Sequence, residues 1–130
     1  MRRVKSHTLE KLSYFKKYLD AYLIASKRLP KKYYIDAFAG SGKCKLCDEE
    51  CKSKGGVKCE KCSKGKIIDG SVMISLKAPN KFNGYIFVEL YRKNIECLVK
   101  FIQSEIDYKF KKSIKIKKGD SNIILKNIYK

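Results

Sequence analysis

Two groups of residues in this sequence could do chemistry: a glycine turn that follows a short apolar strand, and a cluster of cysteines directly after it. The string YYIDAFAGSG covers residues 33–42, and it predicts a buried strand that ends at Asp36 and enters a turn containing Gly40 and Gly42. Proteins of the α/β class use such turns to bring backbone N–H groups close to a nucleotide-like ligand. The pattern therefore predicts a ligand site at this turn.

Two phosphate-binding patterns do not fit the turn. A phosphate loop, G-x-x-x-x-G-K-[ST], matches at Gly42 and Lys43 but has Ala37 at its first glycine and Cys44 at its hydroxyl position. The dinucleotide pattern G-x-G-x-x-G lacks its third glycine, because Cys44 and Lys45 follow the turn. Neither kind of site is therefore predicted here.

Five of the six cysteines lie in residues 43–66, a lysine-rich stretch without hydrophobic periodicity that we interpret as an insertion. Two C-x-x-C pairs, Cys44 with Cys47 and Cys59 with Cys62, have the spacing of a tetrahedral zinc site. Cys51 is an alternative ligand, and together with the first pair it also fits an iron–sulfur cluster. We expect structural zinc, with the cluster, a disulfide or no bound group as the other interpretations.

The turn itself resembles the first motif of class I S-adenosylmethionine-dependent methyltransferases, in the F-x-G-x-G version of the amino-methyltransferases. The resemblance implies a cofactor site in which the glycines let the backbone approach the methionine part. It further implies an acidic residue after the second strand for the ribose hydroxyls, and another after the third strand for the adenine amino group. Carried onto this chain, the implied cofactor-binding residues are Asp36, Phe38, Ala39, Gly40, Ser41, Gly42, Glu89 and Asp120.

The spacing between the turn and Glu89 supports this assignment once the insertion is removed. Glu89 lies 47 positions after Gly42, and subtracting the 24 residues of the insertion leaves 23. That value is close to the roughly 20 expected in a nucleotide-binding βαβ unit. The alternative for both Glu89 and Asp120 is that each is a solvated strand end.

Longer strings narrow the resemblance. The segments HTLEKLSYFKKYLDAYL, YYIDAFAGSG, IIDGS and YIFVEL look like the N-terminal part of the three-Cys-motif partner protein family, which is similar in fold to class I methyltransferases. This implies a methyltransferase-like domain over residues 1–130, with residues 43–66 as an inserted zinc-binding loop and S-adenosylmethionine as cofactor. A cysteine-motif protein is then a candidate partner. The resemblance implies no settled reaction or substrate.

The elements that must position these residues alternate along the chain. Apolar positions at helical spacing predict a first helix over about residues 8–28, with Tyr18 and Tyr22 widening its core stripe. The remaining pattern predicts a strand, the insertion, a helix, a strand, a helix, a strand and a helix, in that order. Cys97 is interpreted as a small core residue, and no functional role is predicted for His7. Such alternation predicts an α/β fold with a three-layer Rossmann-like, class I methyltransferase-type parallel sheet of about three strands.

The charge balance adds a second function class. The chain has 31 lysines and arginines against 13 acidic residues, a net charge of +18. Such a field attracts nucleic acid and other polyanions, although an AT-rich genome would give the same composition. The start lacks the apolar core of a signal peptide and no apolar run would span a membrane. A cytoplasmic protein without membrane contact is therefore predicted.

Three strands make an incomplete sheet. In the amino-methyltransferases that the turn resembles, the fourth strand carries a catalytic D-P-P-Y-type motif. No such string occurs before Lys130, so no catalytic residue can be assigned and the enzymatic activity stays undecided. With strands in the order 3-2-1, the first strand would be an open apolar edge. We expect a fragment of a longer protein, or a second chain that completes the sheet. The leading prediction is the cofactor-binding half of a methyltransferase, with nucleic acid as a candidate substrate; the alternative is a non-enzymatic, zinc-containing partner or nucleic-acid-binding module.

Overall fold

The computed structural model describes residues 2–4, 6–46 and 67–128. Within them, helices and strands alternate as the sequence predicts, with extra short strands beside the insertion. A single 3-10 turn, Tyr108–Ser113, precedes the last strand of this part. In chain order the other elements are β1 (Arg2–Val4), α1 (Ser6–Ala25), β2 (Tyr33–Asp36), β3 (Lys43–Leu46), β4 (Ile67–Asp69), α2 (Ser71–Lys77), β5 (Gly84–Glu89), α3 (Arg92–Glu105), β6 (Ile114–Lys118) and α4 (Ser121–Ile128).

Three strands form a parallel sheet in the order β2-β5-β6. Tyr34 lies opposite Tyr85, and Tyr85 lies opposite Ile114. β5 is therefore central and β2 lies at one edge, where no strand of the described residues pairs with its other side. The predicted α/β class and strand order are confirmed, and this sheet is compatible with an incomplete Rossmann-like fold.

The hydrophobic core lies on one face of this sheet. Tyr85 and Phe87 on β5 are at most 1 % exposed and share that face with Tyr34, Ile114 and Ile116, since side chains alternate along a strand. Helices α1, α2 and α3 contribute the rest of the cluster: Leu19, Leu23, Val72, Met73, Leu76, Leu98 and Ile102.

The opposite face of the sheet is less covered. Ile35 and Ile86 are only half-buried there, and the lysines of β6, Lys115 and Lys117, are exposed. Val88, at the end of β5, is fully buried. Both faces of β5 are therefore covered only near its carboxyl end.

Helix α1 packs through Leu19 and Leu23, whereas its tyrosines face solvent. Tyr18 is 70 % exposed, so its predicted place in the core is wrong. Because an α-helix rotates by about 100° per residue, Tyr18 lies on a different side of α1 from its buried neighbour Leu19. Tyr22 keeps one stacked contact, with its ring centre 6.3 Å from that of Phe82. None of the helices in residues 6–46 and 67–128 is long and apolar enough to cross a membrane.

A second, smaller sheet adjoins the insertion. β3 is its central strand, parallel to β1 and antiparallel to β4, with Lys43 opposite Asp69. The first four residues of the predicted insertion are thus a strand, and β4 leads directly to α2. Gly70 is the N-cap residue of α2, and its N–H donates to Gly42 O at 2.9 Å. Residues 47–66, with four of the predicted metal ligands, lie outside the described residues.

Candidate functional site

Asp36 holds the start of the glycine turn. One carboxylate oxygen accepts from the Phe38 N–H at 3.1 Å, and the other accepts from the Ser71 hydroxyl at 2.5 Å and the Tyr34 hydroxyl at 3.4 Å. Burial, followed by the nearby charge of Asp36, raises the pKa of Tyr34, so this phenol stays protonated. Asp36 thus ties β2 to the first residue of α2, and it lines neither of the two cavities described below.

Gly40 and Gly42 both adopt the left-handed backbone conformation, with φ of +69° and +90°. This conformation strains any residue with a Cβ atom. The two positions differ in their surroundings: a Cβ on Gly40 would meet nothing within 4 Å, whereas one on Gly42 would lie 3.0 Å from Leu98. Because it has no side chain, Gly40 leaves the space beside the turn empty. Gly42, for the same reason, allows the turn to pack closely on α3.

Glu89 connects the end of β5 with this turn. Its Oε2 accepts from the Gly40 N–H at 2.6 Å, and its Oε1 accepts from the N–H groups of Leu90 at 2.9 Å and Tyr91 at 3.2 Å. The residue is 8 % exposed, so the alternative of a solvated strand end is wrong for Glu89. A carboxylate has about four acceptor positions. Three are used here, which leaves one on Oε2.

A cavity of about 490 Å³ lies at the carboxyl ends of the three parallel strands. Its size is typical of small-molecule sites, and its position is where open α/β sheets bind their ligands. Five of the predicted cofactor-binding residues line it: Phe38, Gly40, Ser41, Glu89 and Asp120. The sheet thus brings together residues that are up to 82 positions apart in the chain.

A smaller cavity of about 130 Å³ adjoins the same turn. Ala39 and Gly42, the other two predicted residues of the turn, line it together with Thr8 and Leu12 of α1. Phe38, Gly40 and Ser41 line both cavities. The glycine turn therefore separates two neighbouring spaces, and an elongated ligand could contact it on both sides.

Asp120 has a structural role as well as a place in the larger cavity. Its side chain accepts from the Asn122 N–H at 2.8 Å, which caps the start of α4. Asp120 is exposed, so the alternative of a solvated strand end describes part of what it does. The second carboxylate oxygen of Asp120 accepts no hydrogen bond from the described part of the chain, and it can accept one from a ligand.

The sequence reasoning missed several polar residues of the larger cavity. Tyr91 and Asn94 follow β5, and Ser121 and Asn122 follow β6. All four stand within five residues of a predicted strand end, at or near the start of the next helix. A search for polar residues at each strand-to-helix junction, beyond the acidic ones, would have found them.

The predicted zinc centre is not found in the described residues, and the cofactor prediction is wrong in its metal part. No group of three or more His, Cys, Asp or Glu side chains in residues 2–4, 6–46 and 67–128 could hold a metal ion. Cys44, the one predicted ligand in these ranges, lies in β3 opposite Arg2 and Ile68, and neither of these can ligate zinc. The predicted ligands Cys47, Cys51, Cys59 and Cys62 fall outside the described residues. Zinc is not carried further.

Lys43, which follows the turn, pairs with carboxylates of the protein. Its ammonium nitrogen is 2.7 Å from Glu105 Oε1 and 3.6 Å from Asp69 Oδ1. Lys77 binds the same two carboxylates, at 3.3 Å and 2.9 Å. In a phosphate loop this lysine would contact the ligand. Here Lys43 binds carboxylates of the protein instead, which agrees with the mismatch to the phosphate-loop pattern.

Comparisons of the chain with family models, with curated proteins and with solved structures found no match. The candidate site is a cavity at the carboxyl ends of a parallel sheet, closed on one side by a glycine turn and lined by a buried glutamate.

Proposed function

We propose that the larger cavity binds a nucleoside-containing cofactor, and that the chain is the cofactor-binding half of a methyltransferase-like protein. The observation that carries the proposal is that Gly40, Glu89 and Asp120 line one cavity at the ends of three adjacent parallel strands. The resemblance to the three-Cys-motif partner family, drawn from the sequence, supports the same function. Nucleic acid is a candidate for the methyl acceptor.

The chemistry of the lining residues suits a nucleoside. The open acceptor position on Glu89 Oε2 can take a ribose hydroxyl while the Gly40 N–H keeps its bond. Phe38 is 82 % exposed and Tyr91 is 65 % exposed beside the cavity, so both offer ring surface for a base. The Asp120 carboxylate can accept from an exocyclic amino group.

Isothermal calorimetry with S-adenosylmethionine, and separately with adenosine, tests the proposal. The informative variant is Glu89→Gln, which keeps the size of the side chain but removes its charge. Hydrogen bonds to a charged group contribute about 1.5–3 kcal/mol each. We therefore expect Glu89→Gln to weaken binding at least tenfold. The matched control is Glu96→Gln, an exposed glutamate of α3 that pairs only with Arg92 in the described part of the chain.

Binding of both ligands that is lost in Glu89→Gln and retained in Glu96→Gln would support the proposal. Circular dichroism must show that each variant is folded, since Glu89 also holds the turn. A folded wild-type protein that binds neither ligand would contradict it. The alternative of a non-enzymatic binding module would then be favoured.

A further inference from the structure

Three tyrosines form a ridge along α1, and nothing in the candidate cavity accounts for them. Tyr14 and Tyr18 are each 70 % exposed, and Tyr22 is 41 % exposed. Residues four apart lie on the same side of a helix, about 6 Å apart along its axis. The three rings therefore form one row, which we call the tyrosine ridge.

Two lysines of α1 lie on or beside the tyrosine ridge. The exposed Lys11 lies on the same side of α1, since it precedes Tyr14 by three residues and Tyr18 by seven. The ammonium of Lys17 lies 6.0 Å from the centre of the Tyr14 ring, at the outer limit of a cation–π contact. Glu10, four residues before Tyr14, also lies on this side of α1, whereas Lys16 lies on the opposite side. Over residues 6–32 as a whole, seven basic residues stand against two acidic ones.

We propose that the tyrosine ridge binds single-stranded nucleic acid. Proteins bind single strands by combining aromatic side chains, on which bases stack, with basic groups that follow the phosphates. Here the exposed rings of Tyr14, Tyr18 and Tyr22 supply the stacking surfaces, and the lysines on and beside the ridge supply the charge. The net charge of +18 adds a long-range attraction for the same polyanion.

A protein partner fits the ridge less well. The centre of a protein interface is depleted in lysine and alanine, although it is enriched in tyrosine. On α1 the tyrosines stand among Lys11 and Lys17 and the exposed Ala21 and Ala25. Duplex nucleic acid is also disfavoured, because its bases are already stacked and cannot cover the rings. The unpaired bases of a single strand fit this row.

This inference does not rest on the proposed cofactor function. The ridge is on the outer side of α1, and none of its tyrosines lines either cavity. The test below uses no cofactor. Failure of one proposal therefore leaves the other standing.

The test is fluorescence anisotropy of a labelled 12-nucleotide oligo(dT), titrated with the whole chain at several salt concentrations. The informative variants are Tyr14→Ala and Tyr18→Ala. Their matched controls are Tyr14→Phe and Tyr18→Phe, which keep the ring and remove only the hydroxyl. A stacked base contributes enough that each alanine variant should bind at least fivefold more weakly, whereas the phenylalanine variants should bind within twofold of wild type.

Tyrosine emission gives a second readout, since the chain has nine tyrosines and no tryptophan. Bound oligo(dT) should quench this emission, and the double variant Tyr14→Ala/Tyr18→Ala should lose most of the quenching that wild type shows. These exposed substitutions are expected to leave the thermal unfolding curve nearly unchanged.

Four results would overturn the inference. They are no binding of oligo(dT), equal binding by the alanine variants, equal or tighter binding of a 12-base-pair duplex, and tighter binding to vesicles containing phosphatidylserine than to the oligonucleotide. Equal binding by the alanine variants would mean that charge alone attracts the strand. Preference for vesicles would mean that α1 lies on an anionic membrane surface.

Discussion

The carboxylate of Glu89 accepts three backbone N–H groups and so joins two segments that are 49 positions apart. Its position at the end of the second parallel strand could be predicted from spacing. Its burial and its bonds to the turn could not, because they depend on how β5 places the carboxylate against Gly40. The same limit applies to Asp36, whose side chain proves to bind the turn and Ser71 rather than to line a cavity.

The two glycines of the turn give a prediction at the scale of single residues. Gly40→Ala should cost about 1–2 kcal/mol of unfolding free energy, from backbone strain alone. Gly42→Ala should cost more, about 2–4 kcal/mol, because its Cβ would also crowd Leu98 at 3.0 Å, in addition to the strain at φ +90°. Urea unfolding of both variants measures the difference.

The two variants should also differ in ligand binding. The Cβ of Gly40→Ala enters open space at the cavity, so this variant should stay folded and bind adenosine less tightly than wild type. Equal costs for the two substitutions would mean that strain dominates and that the packing of Gly42 on α3 contributes little.

At the scale of elements, an ion-pair network joins β3, β4, α2 and α3 through Lys43, Asp69, Lys77 and Glu105. The sequence predicted the helices from their periodicity, but it gave no sign that β3 and β4 pair. Both strands are short, and the 20 residues between them are too many for the two- to five-residue turn that marks a hairpin in a sequence. The network also holds the Lys43 ammonium away from a phosphate-binding role. The sequence could set that role aside only because Ala37 and Cys44 do not match the phosphate-loop pattern.

This network should make stability depend on pH. The hydrogen bond from Lys43, followed by that from Lys77, lowers the pKa of Glu105. A carboxyl whose folded pKa lies below its unfolded value of about 4.3 stabilises the fold above that pH, and the contribution is lost as the pH falls through the folded value. Thermal melts between pH 3 and pH 7 should show this loss in wild type.

The variant Glu105→Gln should have a lower Tm than wild type at pH 7, and the gap should narrow toward pH 3. Glu96→Gln is the control, since its partner Arg92 is 80 % exposed and such pairs contribute little. A gap that stays constant over the whole range would mean that the charge of Glu105 does not stabilise the fold.

At the scale of the whole molecule, the sheet is covered well on one face and partly on the other. The core residues and the order of the strands followed from apolar runs and the alternation of elements. The difference in burial between the two faces could not be predicted, because an apolar run such as that of β5 has the same pattern whether one or both faces are packed. The prediction that a second chain completes the sheet remains a proposal; such a chain would extend the sheet at β2, whose other side pairs with no strand of the described residues.

Neighbouring residues of β5 test this asymmetry. Phe87 is fully buried in the core, so Phe87→Ala should cost about 3–5 kcal/mol of unfolding free energy. Ile86, on the opposite face, is half-buried, and Ile86→Ala should cost about 1–2 kcal/mol. Urea unfolding at micromolar protein concentration measures both. Equal costs would show that the second face is packed in solution, for example by self-association.

The bond between the Gly40 N–H and Glu89 also has a kinetic consequence. Its two residues are 49 positions apart, and closing a loop of that length costs about 3.5 kcal/mol, most of which is already met when β2 pairs with β5. The turn is local in sequence, yet it can reach its final conformation only after β2 and β5 have paired, and such distant parallel pairing is slow. A ligand that requires the finished turn should therefore leave the refolding rate unchanged and slow the unfolding rate, since its contacts form after the transition state.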